Sequence, residues 1–308
     1  MQIKPFKEYC ELIELLQARG MKIRETSYAK KKLAQVGYYR LSGFWHISRT
    51  TNQDNSLSDQ FLPNTNFDEI YRLYIFDKKL RLLLLDIIER LEVHVRSVIA
   101  HELGRFDPLA YLKDDFINPQ YNDRYQIWKD KLISQIDKSR DDFVLWHKEQ
   151  SRDLPFWAVV EVWDFGTLSK YYSMLKKRFQ NKIAVRFNAN NTATFISWLN
   201  EINIIRNQAA HHSRIWNKKG NPIKILDNSY FNELNLDHHS KRRLFSRIAV
   251  MWYLISQTSK NYKWLDHLSS LILEDFPSVP NAKLTSMGII GDPEDILQQL
   301  KQLAQQYN

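Results

Sequence analysis

The chain has 308 residues, 44% of them apolar and 13% aromatic, and its 44 basic against 35 acidic side chains give a net charge of +9. This supports a folded protein with one large core or two modest ones. A single cysteine, Cys10, excludes an internal disulfide and a thiolate zinc site, and no long uncharged apolar run is present, so a soluble, cytoplasmic protein without a membrane span is expected.

Residues 5–20 place Pro5 ahead of apolar side chains at Phe6, Leu12, Ile13, Leu15 and Leu16, with Gly20 beyond them, which reads as a first helix. Ser27 opens a second helix through Val36, and Gly37 stops it before the aromatic-rich stretch Tyr38–Trp45, a core-packing segment. Within it Tyr39 and Arg40 suit either packing or contact with RNA. The run from Arg49 to Asn66 is polar and aperiodic and reads as a loop, 51–66, between an N-terminal helical segment, 1–50, and a helical core, 67–220. Phe67 to Leu103 has no Gly or Pro, apolar residues at spacings of three and four, and i,i+4 pairs Asp77/Arg81 and Glu92/Arg96. It predicts one long helix, a central strut whose apolar face is too broad for a coiled-coil seam.

Further helices are expected at Tyr121–Ile136 and Asp142–Glu149, and two more follow Pro155, separated at Gly166, with Phe156, Trp157, Trp163 and Phe165 as core. Thr192 begins a helix that carries Trp198–Asn217, ended by the Lys218–Pro222 turn. Asp237 is expected to cap a helix running to about Lys260, and Asp292-Pro293-Glu294 to start a last one through Leu303 in a C-terminal region, 221–308. No alternating strand pattern of useful length stands out, so the fold class is all-α, a bundle rather than a solenoid.

Charge is unevenly spread: residues 166–260 hold 16 basic and 4 acidic side chains, whereas residues 50–165 hold 15 and 21. The basic third surrounds Trp198–Asn217, where Arg206, Asn207 and His211 fall within little more than one helical turn. Such a field gathers a polyanion, or it only solvates helix faces. Lys218, Lys219, Lys241, Arg242 and Arg243, with Arg247, make a candidate RNA track on the same terms. HExxH, GxxxxGK and GxGxxG are all missing, which argues against metal and nucleotide-hydrolysing chemistry; no metal ligand and no cofactor is assigned. An arginine that never loses its charge beside an imidazole titrating near neutrality suits metal-free RNA cleavage, in which a base takes the ribose 2′ proton and cations offset phosphate charge. Arg40/His46, Arg96/His101 and Arg140/His147 have similar spacing, and the competing reading is that His211 and His212 pack or hydrogen-bond inside the bundle with Arg206 paired to Glu201 or another acid.

Four blocks, YYRLSGFW at 38–45, FDEIYRLYIFDKKLRLLLLDIIERLEVHVRS at 67–97, PFWAVVEVWDFGTLSKYY at 155–172 and RNQAAHHSRIWN at 206–217, resemble the Abi-like abortive-infection family of AbiD and AbiF type, placed in the HEPN superfamily. The resemblance implies an HEPN-type helical bundle with additional N- and C-terminal helices, and an RNxxxH endoribonuclease of a bacterial defence or toxin-antitoxin system. In that reading Arg206 stabilises the phosphate, Asn207 positions and His211 acts as acid or base, with His212 and Arg214 in support. Glu92 and Arg96 either line the site or form an internal salt bridge. The partners implied are RNA, a second copy of the chain in a homodimer, and an antitoxin or non-coding RNA. A non-catalytic RNA-binding or regulatory protein using the same basic surface is the alternative.

Overall fold

The computed structural model describes residues 5–258 and 263–306. Fourteen α-helices lie among the described residues: α1 (Tyr9–Ala18), α2 (Thr26–Val36), α3 (Tyr38–Trp45), α4 (Phe67–Gly104), α5 (Asn122–Lys138), α6 (Asp142–Glu149) and α7 (Phe156–Val159), then α8 (Phe165–Met174), α9 (Lys177–Val185), α10 (Thr192–Ala210), α11 (Ser229–Glu233), α12 (Leu244–Ser256), α13 (Lys263–Glu274) and α14 (Pro293–Gln306). The fold is all-α apart from one small hairpin, β1 (Arg49–Thr51) with β2 (Leu57–Phe61). No helix of the described residues is long and apolar enough to cross a membrane.

The 38-residue α4 is the axis. Asn66 caps it by accepting from the Asp68 amide at 2.8 Å, and Asp68 and Glu69 sit in the first turn, where carboxylates favour the helix dipole. Its apolar positions, from Phe67 and Ile70 through Leu80, Leu84, Leu91 and Val95 to Leu103, are buried on more than one side. Helices α3, α7 to α10, α12 and α13 can therefore pack around it. Its last residue, Gly104, lets Trp157 approach closely: a β-carbon there would lie 3.3 Å from the Trp157 ring. A single cluster of buried apolar side chains runs from Ile13 to Leu303. Trp264, whose indole donates to the Leu83 carbonyl at 2.7 Å, and Lys79, 2.6 Å from Asp275, fasten the C-terminal helices to the axis.

Several elements differ from the sequence expectation. The first helix starts at Tyr9 rather than beside Pro5, and Tyr38–Trp45 is itself a helix, with Tyr39 on the surface at 80% exposure. The polar 51–66 stretch is not all loop. Its strands pair Arg49 with Phe61 and Thr51 with Leu57, and Asp59 holds both Arg49 and Arg19, the latter at 2.7 Å. LSDQF alternates too weakly to announce a strand; Leu57 is exposed and only Phe61 reaches the core. Gly166 lies inside α8, and Trp157 is 58% exposed rather than core. Asp237 receives the Ser240 amide at 2.6 Å, but this caps a short 3-10 turn; α12 begins only at Leu244, and Lys260 lies outside the described residues.

His94 on α4 packs on Phe187 with ring centroids 4.9 Å apart, and its Nδ1 is buried without a hydrogen-bond partner. Burial, helped by the nearby Arg186, lowers its pKa. The unfolded chain therefore takes up this proton first, so the stabilisation is complete above the ordinary histidine value of about 6.5 and is lost as pH falls through the depressed folded value. Thermal unfolding followed from about pH 7.5 down to 5 should show a smaller loss of stability in His94→Phe than in the parent.

Candidate active site at the end of α10

Asn191 caps α10 by accepting from the Thr194 amide at 3.1 Å, and Phe195, Trp198, Leu199, Ile202, Ile205 and Ala209 bury one face. The helix was expected to continue through Asn217, but it stops at Ala210. His212 adopts a left-handed backbone, φ 57°. Its amide bonds the Ala209 carbonyl at 3.1 Å and the Ser213 amide bonds Gln208 at 2.8 Å, a Schellman ending built without glycine. His211 is the last residue before the turn, and its amide still closes on the Asn207 carbonyl at 2.9 Å. Asn207 and His211 thus stay one turn apart, both exposed to solvent.

The side chains around them form a graded charge set. Arg206 is half-buried; its Nη1 donates to Asn207 Oδ1 at 3.4 Å and its Nε stands 4.0 Å from Glu92 Oε2. Glu92, in turn, binds Arg96 at 2.5 Å, and Arg96 donates to the Trp163 carbonyl at 2.5 Å. Both readings of Glu92 and Arg96 meet here: they form an internal salt bridge, and that bridge orients Arg206. Burial raises the Glu92 carboxyl above its ordinary pKa, against the opposing pull of Arg96 and Arg206. Asn207 turns its oxygen to Arg206, and no hydrogen bond to the His211 ring is present among the described residues. In the competing reading Arg206 pairs with Glu201 or another acid: the pairing with Glu201 does not occur, the acid facing Arg206 is Glu92, and His211 and His212 are exposed rather than packed. Glu201 binds Arg247 at 2.6 Å, because a residue five positions back on a helix faces away from Arg206.

Beyond the turn, residues 213–216 are tied down onto α4. Asp77 is fully buried, and its Oδ1 accepts from the Ile215 and Trp216 amides at 2.9 Å each while Oδ2 binds Arg81. Burial raises its pKa, and the two amides and the nearby guanidinium groups pull the other way. Arg214 is half-buried near Gly43 of α3; burial lowers its pKa and Asp77 offsets part of that. Arg40 donates to the His212 carbonyl at 2.8 Å, so the α3 arginine braces the turn.

The basic track is partly realised. Lys218 and Lys219 are exposed and share a cleft with Arg242 and Arg243 on the flank of α10, beside Ile204 and Gln208. Arg243 also donates to the Asn217 carbonyl at 3.0 Å, and Lys241 is half-buried outside the cleft lining. Arg247 and the acidic Glu201 also line this cleft, but Arg247 is only 2% exposed and holds the Lys241 carbonyl at 2.6 Å besides Glu201, so it offers no free charge to a surface track. Four basic residues in a short run give no hint which one is buried. The sequence reading also missed Asp77 and Arg81 as site supports, although it saw their i,i+4 pairing. Arg96/His101 does not repeat the motif arrangement, since Arg96 is committed to Glu92 and His101 stands apart on the surface. Among the described residues, no group of three or more His, Cys, Asp or Glu side chains is placed to hold a metal ion.

A family model described as "Abi-like protein" matches residues 31–217, which includes α3, α4 and the whole of α10 with its terminal turn. No curated protein and no solved structure matches the chain.

Removing the Asp77 carboxylate leaves Arg81 as a buried unpaired charge and strands two amides. Asp77→Ala should therefore cost about 3–5 kcal/mol in denaturant unfolding, whereas Asp77→Asn, which keeps an acceptor for the amides, should cost less.

Proposed function

The chain belongs to the Abi-like protein family, and on that premise we propose that it acts in abortive-infection defence as a metal-independent endoribonuclease. The observation that carries this reading is the solvent-facing Arg206/Asn207/His211 set, whose guanidinium is steered from below by the Glu92–Arg96 pair while the imidazole is left free. His211 takes the proton of a ribose 2′-hydroxyl, the 2′-oxygen attacks the adjacent phosphorus, and Arg206 offsets the charge gathering on the phosphate oxygens. The P–O5′ bond breaks, giving a 2′,3′-cyclic phosphate and a 5′-hydroxyl once the departing oxygen is protonated. Attack and departure occur on opposite sides of phosphorus, and one imidazole does not serve both at once. The open, exposed setting of His211 fits a second copy of the chain supplying the other, the composite arrangement that the HEPN resemblance implies. The basic cleft of Lys218, Lys219, Arg242 and Arg243 then tracks the RNA backbone. An antitoxin or non-coding RNA is the matching partner class for restraining such an enzyme.

One observation favours a second reading. The His211 ring has no orienting hydrogen bond among the described residues, and catalysis needs one nitrogen held in a defined role. A regulatory protein that binds RNA on the same surface without cutting it has no such requirement.

Purified full chain incubated with labelled RNA in EDTA separates the two. Cleavage should fall at least about 100-fold in His211→Ala and Arg206→Ala; undiminished cutting by both variants overturns the site, and RNA retention without turnover by the parent selects the binding protein. In either case a Lys218→Ala/Lys219→Ala double variant should flatten the slope of log affinity against log salt by about two.

A further inference from the structure

Beside the terminal turn of α10 lies a cavity of about 340 Å3, and the roles assigned above leave it unused. Its walls come from three elements. Arg40 on α3 stands at one side, Tyr74, Lys78, Leu82 and Leu85 of α4 form another, and Ala210 at the end of α10 adjoins His211. The volume falls within the range of small-molecule sites, roughly 300–1,000 Å3.

Two features define what fits. The charge is of one sign: Arg40, Lys78 and the Asp77-bound Arg81 line the cavity and no carboxylate does. Asp77, the sequence neighbour of Lys78, is engaged by Arg81 and the Ile215 and Trp216 amides. Lys79 is paired with Asp275 at 2.6 Å, but among the described residues neither Arg40 nor Lys78 has an ion-pair partner. Arg40 spends one N–H on the His212 carbonyl, and this fixes the guanidinium at the rim with other donors free. The rest of the surface is apolar and in part aromatic. Leu82 is 58% exposed, and Tyr74 is held edge-on by Phe44 with centroids 5.5 Å apart.

A fixed arginine and a free lysine beside an apolar and aromatic wall match a phosphate joined to a planar base. We infer that this pocket binds one nucleotide, its phosphate on Arg40 and Lys78 and its base against Tyr74, Leu82 and Leu85. The source is either the nucleotide of an RNA strand next to the cleaved linkage or a free mononucleotide. The strand assignment rests on the RNA-cleaving or RNA-binding reading above, because Ala210 and His212 flank His211; the free-nucleotide assignment does not. Occupied by a strand, the pocket sets which way the RNA runs across Arg206 and His211.

The test uses the full chain carrying His211→Ala, so that binding is read without turnover, with a fluorescent single-stranded oligoribonucleotide followed by anisotropy and adenosine 5′-monophosphate followed by calorimetry. Arg40→Ala and Lys78→Ala should each weaken binding about tenfold. Ala210→Phe, which fills the cavity without changing charge, should weaken it as much, while Lys131→Ala on α5, outside the pocket, should not. Oligoribonucleotide binding that loses tenfold in the three pocket variants assigns the site to the strand. Mononucleotide binding that depends on Lys78, in a chain that binds no RNA with His211 either intact or replaced, assigns it to a free nucleotide and sinks both RNA readings while leaving the pocket. Ala210→Phe and Lys78→Ala that bind both probes as the parent does overturn the pocket, even when the parental chain cleaves RNA. Binding of neither probe by any form overturns both.

Discussion

Two backbone amides, those of Ile215 and Trp216, end on one oxygen of Asp77, and the shape of the functional surface follows from that contact. A carboxylate with no access to water is tolerable only where its lone pairs are filled and its charge is opposed. Here both conditions are met by the chain segment that the carboxylate positions. The loop after α10 is thereby pressed onto α4, its apolar Ile215 and Trp216 go into the core, and Arg214 and His212 are left facing the side where Arg40 approaches. This anchor adds to the Schellman hydrogen bonds and the Arg40 contact in offsetting the backbone cost of the left-handed turn at His212.

A second buried contact works on the other flank. Arg247 reaches through the space above Gly220, where a β-carbon would stand 3.0 Å from its guanidinium, and joins Glu201 of α10 to carbonyls of the loops that carry the surface lysines. The motif helix is therefore gripped on both sides by ion pairs that lie beneath the surface. Of the charges that face solvent near it, Lys218 and Lys219 carry no ion pair among the described residues, whereas Arg40 braces the turn. This division explains how a strongly basic region can pack at all: its buried cations are neutralised one by one, and repulsion among the rest is relieved by water.

Much of this order was legible in the residues. The absence of Gly and Pro from 67 to 103 and the three-four spacing announced α4, and Asp292 stands where a helix start needs a side-chain acceptor, whereas the caps at Asn66 and Asn191 were not read. The motif itself was visible because its three members are local. What escaped was long-range or conformational. Glu92 was implied as a residue lining the site, but its pairing with Arg206, more than a hundred positions on, was not readable, and Glu201 was the acid named instead. The end of α10 was hidden because His212 occupies a position that usually shows glycine. The hairpin was hidden because its strand offers only Phe61 to the core and owes the rest of its hold to the Asp59 ion pairs.

The length of α4 carries a consequence for how the chain can vary. Asp77, which anchors the loop, and Glu92, which steers Arg206, are fifteen residues apart on one unbroken helix, a separation of about 22 Å. Adding or removing one residue between them would rotate one anchor by about 100° relative to the other, so that the loop and the arginine could no longer be served together. The interval tolerates substitution on its outer face but not a change in register. Insertions have room at the hairpin tip, 52–56, where the exposed backbone carries no such phase. Length variation in related chains should gather there and be missing between the two carboxylates.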